Sequence, residues 1–394
     1  MLRVLTLSTL FPDAGRPNFG VFVERQTLGL AAHPDVSLRV VAPIGVPPWP
    51  LSRHARYRGF DGVPLVEDWK GLAIQRPRFA AMPGISGRLH VPMLVRTLLP
   101  VLADIRREFA FDVIDAEFFF PDGPAAVALG KHFGVPVSIK ARGADIHHWG
   151  KGPTAAQVRN AGCAADGVLA VSQAMREDMA AIGIPPDRIT VHRTGVDLDR
   201  FVLVDRPQAK AAIGITGPLI VSLGALIDRK GHGIVIRAMT ELPGVSLLIA
   251  GEGPSRPALV ADIARLGLSD RVRLLGSTPH AELPALLAAA DVMALASASE
   301  GLANAWVEAL ACGTPIVITA AGGAAEVVTD PDFGRIAARE PAAFAQAIAS
   351  LLADPPAPDS VRRGAEHFTW AANTDALYAH LHRLVSAGDH VGCL

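Results

Sequence analysis

Short runs of Val, Ile, Leu and Ala recur along the chain, separated by stretches with helical spacing. In the first half they predict strands over Val4–Ser8, Ser37–Ala42, Val113–Ala116, Val137–Ala141, Gly167–Ser172 and Arg188–Arg193. Helices are expected between them at Gly20–Ala32, Gly123–Phe133 and Gln173–Ile182. The strand runs read as continuously apolar rather than alternating with polar residues, which marks strands covered on both faces, as in a parallel sheet between helix layers. Residues 43–100 break the rhythm with many Pro and Arg and read as an excursion from the first domain.

The pattern loosens around Asp197–Pro218 and restarts at Leu219–Leu223. It continues through Val245–Ala250, Val272–Leu275, Val292–Ala296 and Pro315–Thr319, and Trp370–Ser386 is helical in spacing. The fold class is therefore α/β, with two Rossmann-like, doubly wound domains over residues 1–200 and 201–369. The helix 370–386 would pack back on the first domain. Folds of this class bind ligands outside the carboxyl ends of their strands, here in a cleft expected between the domains.

Composition narrows the function. The chain has 394 residues, half of them apolar and 19% charged, enough for two buried cores. Lys plus Arg is 37 and Asp plus Glu is 38, a formal charge of -1, which carries no footprint of nucleic-acid binding. Cys163, Cys312 and Cys393 are sparse and lack metal-ligand spacing, so they read as free thiols in a reducing compartment. Met1–Leu10 has the single Arg and short apolar run of a signal peptide but no small-residue cleavage site, and reads as a first strand. No uninterrupted apolar run reaches the roughly 18 residues of a membrane span. The expectation is a soluble, cytoplasmic protein.

The chemistry concentrates in the second half. Strand Val292–Ala296 runs into Ser297-Ala298-Ser299-Glu300-Gly301, and a helix follows from about Leu302 to Ala311. The helix start presents unpaired N–H groups near Ala303 and Asn304, a setting suited to a diphosphate. Glu300 precedes the helix and Glu308 lies about two turns into it, so the two need not reach one atom. They read as separate hydroxyl acceptors, and on spacing alone a capping charge and a solvated helix residue remain open. Arg229 and Lys230 follow a buried strand, where cations would neutralise a leaving diphosphate or form a plain surface pair. Gly251-Glu252-Gly253-Pro254-Ser255-Arg256 is a poor dinucleotide fingerprint because Arg256 stands at its third glycine position. In the first half, Arg142 and Asp145 follow strand Val137–Ala141, and Glu117 with Pro121-Asp122-Gly123 ends another strand. Asp145 would fix Arg142, and Glu117 would bind acceptor. His147 and His148 read as structural or exposed.

The string Glu300–Glu308, continuing to Val317, resembles the E-x7-E signature of the family 4 retaining glycosyltransferases. Gly224-Ala225-Leu226-Ile227-Asp228-Arg229-Lys230-Gly231 resembles their phosphate-binding turn, although Ala225 stands where many members carry Arg. Gly251–Pro254, Gly322–Glu326, Ser172, His192–Asp197 and the N-terminal stretches Phe11-Pro12 and Pro17–Val23 line up in order. The resemblance covers essentially the whole chain and is nearest to transferases of the teichuronic-acid and exopolysaccharide type. It implies the GT-B architecture, base contacts at Gly276-Ser277-Thr278, phosphate contact at Gly224, and acceptor contacts at Phe19 and Gly20. Members often have a His where this chain has Arg142.

The implied activity is that of a hexosyltransferase-type enzyme that moves a sugar, with retention, from a UDP- or GDP-linked nucleotide-sugar donor to a hydroxyl acceptor. That acceptor would be a saccharide or lipid-linked saccharide in cell-surface or extracellular polysaccharide synthesis. Glu308 would accept from ribose hydroxyls and Glu300 from those of the donor sugar. No cofactor and no metal is expected, since Asp197-Leu198-Asp199 and Asp330-Pro331-Asp332 match D-x-D only by letter. Two alternatives stay open: a nucleotide-sugar epimerase and a catalytically silent nucleotide-sugar-binding protein. Between Arg53 and Arg107, Lys and Arg outnumber Asp and Glu among Trp69, Met82, Leu94 and Leu98, so peripheral contact with the inner face of a membrane is a further expectation beside ordinary helix packing.

Overall fold

Aliphatic runs with no polar face leave a strand nowhere to meet water, and the structure buries them in the middle of parallel sheets. In the computed structural model the described residues are 1–17, 19–54, 59–60, 62–81 and 87–389; Asn18, Met82 and Cys393 lie outside them. The chain divides into two units, one from Met1 to Arg193 that also holds the C-terminal helix Trp370–Asp389, the other Thr194–Thr369.

The first unit contains β1 (Leu2–Leu7), β2 (Val36–Val41), β3 (Ile44–Val46), β4 (Val66–Trp69), β5 (Leu72–Gln75), β6 (Arg78–Ala80), β7 (Val113–Ala116), β8 (Val137–Ala141), β9 (Gly167–Ala170) and β10 (Ile189–Val191). Among the described residues eight strands form one sheet in the order β10-β9-β8-β7-β1-β2-β5-β4, and β3 pairs with β6 separately. These pairings are parallel except β4 with β5, an antiparallel edge whose exposure alternates. Leu2, Val4, Val113 and Leu169 pack against Leu30 of helix Val21–Ala32 and against Leu377 and Leu381 of helix Trp370–Asp389. Each such fully buried side chain contributes roughly 1.5–3 kcal/mol.

The second unit contains β11 (Leu219–Leu223), β12 (Ser246–Ala250), β13 (Val272–Gly276), β14 (Val292–Leu295), β15 (Ile316–Ile318) and β16 (Gly334–Ile336). Its order is β13-β12-β11-β14-β15-β16, parallel throughout. The order reverses between β11 and β14, which opens a crevice beyond the carboxyl ends of those two strands. Ile220, Val292, Ala294 and Val317 form its core with Val235, Ile236, Phe344 and Ile348 from the covering helices.

The excursion at residues 43–100 is more regular than its composition suggests. It holds β3 to β6 and the start of a helix, His90–Glu108, that buries Leu94, Leu98, Leu102 and Ile105 on one face. Pro92 sits in the first turn of that helix, where a missing N–H costs nothing, and Pro100 lies on the exposed face. The helix expected from Leu302 begins at Asn304, because Ala303 is still extended.

Two glycines set how closely the loops of the second unit approach. Gly231 has φ 71°, and a Cβ there would stand 2.0 Å from the carbonyl oxygen of Ala296. Gly322 has φ 53°, and its Cβ would stand 2.2 Å from the carbonyl of Glu300. Both strain and collision oppose any side chain. Gly267 has a similar φ of 67° but open space around it. Gly231→Ala is expected to cost at least about 3 kcal/mol, against about 1 kcal/mol for Gly267→Ala, measured by urea unfolding of each variant. Equal costs would mean that the backbone approach at Ala296 is not the constraint described.

Candidate active site

In the second unit, β11 ends at Leu223, and the chain turns from Gly224 through the short helix Asp228–Lys230. From the neighbouring strand β14 the chain enters Ser297–Glu300. The two turns are tied by the backbone, with Ala298 N–H donating to Arg229 O at 2.7 Å. This places Lys230 Nζ 2.6 Å from Glu300 Oε1, which also accepts from Ser297 Oγ at 2.7 Å. Arg229 donates through Nη1 to Ser299 O at 2.6 Å, and the same nitrogen lies 3.7 Å from Glu300 Oε2. Glu300 is buried, and Lys230 is mostly so. An ammonium has three N–H donors, so the bond to Glu300 leaves Lys230 donor capacity for an anion.

The helix Asn304–Ala311 starts beside this cluster without a side-chain cap. Asn304 Oδ1 accepts from Thr194 Oγ1 at 2.8 Å. Glu308 is buried in the same helix, and its Oε1 lies 2.8 Å from His280 Nε2. His280 follows the turn Gly276-Ser277-Thr278 that ends β13, so the carboxylate and that turn are physically linked. Gly276 O accepts from Gly251 N at 2.8 Å, and Gly224 N donates to Ala250 O at 3.0 Å, which binds the strand-end turns to one another. His280 and Ser297 were not singled out from sequence. Ser297 precedes Glu300 by three residues, a spacing visible in the string, whereas nothing local marks His280 as a partner of Glu308. His232 is buried against Ser222 Oγ at 2.9 Å, and burial with the nearby Lys230 pushes it down to about 4.

The first unit holds a second polar cluster. Along β7 the side chains Val113, Asp115 and Glu117 share one face, and along β8 so do Ser138, Lys140 and Arg142. Thr6, Asp115 and Ser138 lie in register across β1, β7 and β8, so a polar row crosses the sheet. Each of Asp115, Glu117, Ser138 and Lys140 is essentially unexposed. Arg142 donates through Nε to Glu117 O at 2.7 Å and through Nη2 to the Glu117 carboxylate, and Phe22 lies over it at 4.9 Å. Gln26 donates to the other Glu117 oxygen and accepts from Lys140 Nζ. Lys140 also bonds His192 Nδ1 at 2.6 Å, and His192 Nε2 faces Asn373 O at 2.8 Å. The carbonyl requires a proton on Nε2, so Nδ1 is the acceptor.

Burial, with Arg142 adding to it, brings Lys140 down to about 7. Burial and Glu117 hold the Asp115 carboxyl well above its ordinary range, while Glu117 lies below its own: burial works against ionisation there, but Arg142 and Lys140 outweigh it. Glu117, expected to face an acceptor, is thus enclosed by Arg142 and Gln26. Asp145 is buried too and accepts from backbone N–H groups, those of Arg142 at 3.0 Å, Gly143 at 2.7 Å and Phe119 at 3.1 Å, while the Arg142 guanidinium goes to Glu117. Phe19 lies under the Arg16 guanidinium at 4.4 Å, and Gly20 is the left-handed residue before helix Val21–Ala32. His147 Nε2 is 2.8 Å from Asp178 Oδ2.

The two D-x-D stretches shape turns. Asp197 Oδ1 accepts from the N–H groups of Asp199 and Arg200, and Asp330 Oδ1 from that of Asp332. Among the described residues no group of three or more His, Cys, Asp or Glu is placed to hold a metal ion. No helix among them is long and apolar enough to cross a membrane.

Comparison with known proteins places both units. Residues 38–200 match the family model described as Glycosyltransferase Family 4, and residues 205–368 match that of Glycosyl transferases group 1. A D-inositol 3-phosphate glycosyltransferase of Mycobacterium tuberculosis is 37% identical over 225 residues, which cover 53% of this chain and 47% of that protein. The match therefore spans about half the length of such curated relatives. Sucrose-phosphate synthase from Thermosynechococcus elongatus has TM-score 0.80 at 19% identity, over 98% of this chain and all of that one. Anabaena HepE in complex with UDP-glucose has TM-score 0.68 at 18% identity, over 99% of each chain. These structural likenesses show the GT-B fold.

The shift at Lys140 has a consequence for stability. Its folded-state value is about 7 against 10.5 when unfolded, so between these pH values the unfolded chain holds a proton the folded one has released. Folding is then favoured as pH rises across that window, and the gain is lost as pH falls through 7. The rise attributable to Lys140 is on the order of a few kcal/mol. Lys140→Met is expected to flatten it, read from urea midpoints of parent and variant at pH 7 and 9.5. A variant that keeps the parent's full rise would show that Lys140 is not the group responsible.

Proposed function

The two domains of this chain belong to Glycosyltransferase Family 4 and Glycosyl transferases group 1, and from that premise we propose that the protein transfers a sugar from a nucleotide-sugar to a hydroxyl acceptor with retention at the anomeric carbon. The observation that carries this reading is the cluster of Lys230, Arg229, Ser297 and Glu300 at the carboxyl ends of β11 and β14, beside the uncapped start of helix Asn304–Ala311. Cations and helix amides around one crevice suit a departing diphosphate, whose negative charge grows in the transition state. In the reaction the bond from the anomeric carbon to the phosphate oxygen breaks. The bond to the acceptor oxygen forms on the same face, and the acceptor proton passes to the leaving phosphate.

Each residue has a role that its chemistry supports. Lys230 and Arg229, with the N–H groups at Ala303 and Asn304, neutralise the diphosphate. Gly224, with φ 145°, gives the phosphate-side turn a backbone conformation that residues with a side chain rarely adopt. Glu300, held by Lys230 and Ser297, accepts from hydroxyls of the sugar. Glu308 accepts from the ribose, since a carboxylate oriented by one His N–H keeps further lone pairs. Gly276 and Ser277 line the base. On the first domain, Arg142 donates to sugar hydroxyls, and Phe19 and Gly20 shape the acceptor side. Glu117 and Asp145 act there by holding Arg142 and its turn.

Anabaena HepE is bound to UDP-glucose, which supports a UDP-linked donor with GDP as the alternative. The acceptor we favour is a saccharide or lipid-linked saccharide of cell-surface polysaccharide synthesis, of the exopolysaccharide or teichuronic-acid type. A curated relative named for D-inositol 3-phosphate makes a phosphorylated cyclitol the acceptor to test beside it. No metal takes part in this reading, because Lys230, Arg229 and the helix amides supply the positive charge.

A second reading concerns where the protein works. Trp49, Leu51, Leu89 and Met93 are exposed, and Arg53, Arg88 and Arg96 are exposed among them. Strands β3 and β6 run parallel and end together at Val46 and Ala80, so the segments carrying these residues leave the same edge. An apolar and basic surface of this kind suits peripheral binding to the anionic face of a membrane, which supports a cytoplasmic protein working at its inner surface.

Thermal shift with UDP, GDP and ADP should single out one nucleotide, since a ligand of the folded state raises its midpoint. Glu308→Ala is expected to raise the donor KM about tenfold with kcat little changed, whereas Lys230→Ala lowers kcat by about a hundredfold. Unchanged donor kinetics in both variants would sink the assignment, and abolition of transfer by EDTA with rescue by Mg²⁺ would refute the metal-free reading. Flotation with anionic liposomes at low salt is expected to carry the protein upward, and its absence would remove the membrane reading.

A further inference from the structure

The first unit hides charges that no step above uses. Lys140 is fully buried in β8, where an aliphatic side chain of similar length would pack without the cost of removing an ammonium from water. What the ammonium holds explains its presence. It faces Gln26 Oε1, so the Gln26 amide must turn its Nε2 to Glu117. Glu117 is thereby fixed at one carboxylate oxygen and offers the other to Arg142 Nη2, while its carbonyl takes Arg142 Nε. Four side chains form a continuous line from the interior of the sheet to the carboxyl end of β8. These bonds do not use the Nη1 edge of the guanidinium.

We propose that Lys140 is a positioning residue for Arg142: by orienting the Gln26 amide it orients the Glu117 carboxylate, which holds the guanidinium in one direction. The inference rests on the reading that Arg142 meets sugar hydroxyls. Lys140 touches no substrate and acts through the line of bonds alone.

The groups facing Lys140 decide how the device responds to pH. They are Asp115 on β7 and Glu117 just after it, Arg142 just after β8 and His192 after β10, with His380 of the C-terminal helix on Ser138 at 3.3 Å. Burial holds the Asp115 carboxyl well above its ordinary range, with Glu117 adding to it. Burial and Lys140 push His192 well below its ordinary value, so it is neutral. Lys140, brought down by burial to about 7, changes charge near neutrality, and as the amine it grips Gln26 less strongly.

The kinetic test compares the parent with Lys140→Met, Arg142→Ala and the double variant. Lys140→Met is expected to lower kcat about tenfold, since a small misplacement of a substrate-contacting group costs rates of that order. It should leave the thermal shift given by UDP unchanged and remove a fall in parental kcat as pH rises through 7. In the Arg142→Ala background it should add nothing, because the line then ends on no guanidinium. Independent, additive losses in the double variant would overturn the proposal. If Lys140→Met does not fold, Gln26→Met breaks the same line one link on and is expected to give the same loss. A parent that transfers no sugar defeats the reading of function, yet the crystal structure of either variant still decides the positional claim. An Arg142 turned away from Glu117 supports it, and an Arg142 left in place refutes it.

Discussion

The chemistry of the second unit depends on how closely two loop backbones approach at the carboxyl ends of β11 and β14. Gly231 lies where any Cβ would meet the Ala296 carbonyl, and Gly322 where one would meet that of Glu300. With the backbones in contact, Lys230 reaches Glu300 at 2.6 Å, and Arg229 anchors the Ser299 carbonyl. A side chain at either glycine would part the loops and separate the charges. Backbone geometry therefore sets the electrostatics. The order reversal between β11 and β14 supplies a crevice beyond the strand ends from which both loops leave.

The two units treat charge differently. In the second, Lys230 and Arg229 keep part of their surface, and an incoming phosphate can compete for their donors. In the first, the charges lie inside a sheet covered by helices Val21–Ala32 and Trp370–Asp389, and every change of charge is felt by its neighbours. A buried network of this kind is costly unless its members are satisfied by one another. The Lys140–Gln26–Glu117–Arg142 line largely meets that condition. A side chain held from several directions has little freedom left, which is what a group that must meet substrate in one orientation requires.

The proposed sugar transfer agrees with this division in physical terms. The second domain concentrates positive charge and hydroxyl acceptors near one helix start, suited to a diphosphate with sugars on either side. The first domain offers a guanidinium fixed in direction at the end of β8. Membership of both domains in glycosyltransferase families agrees with that chemistry, and the likeness to solved structures is one of fold.

Much of this was legible in the sequence. Apolar runs at strand length and helical stretches between them announced the doubly wound architecture, because burial on both faces of a parallel sheet leaves a local signature. The Glu300–Glu308 string and the turn ending at Lys230 were legible as candidate motifs, since each sets its residues at short, fixed separations, and the fold joins Lys230 to Glu300. Reading the strands as uniformly apolar hid Asp115, Ser138 and Lys140, which stand two residues before Glu117 and at alternate positions before Arg142; that alternation was visible and pointed to a polar face within the sheet. The helix His90–Glu108 was masked by two prolines that its first turn and exposed face tolerate. Partners distant along the chain were not legible at all. Lys140 meets Gln26 and His192, Arg142 meets Glu117, and Glu308 meets His280 only because strand order and helix packing bring them together. Sequence determines periodicity and local turn chemistry, whereas the pairing of charges across elements is decided by the fold, since a hydrogen bond depends on position in space and not on distance along the chain.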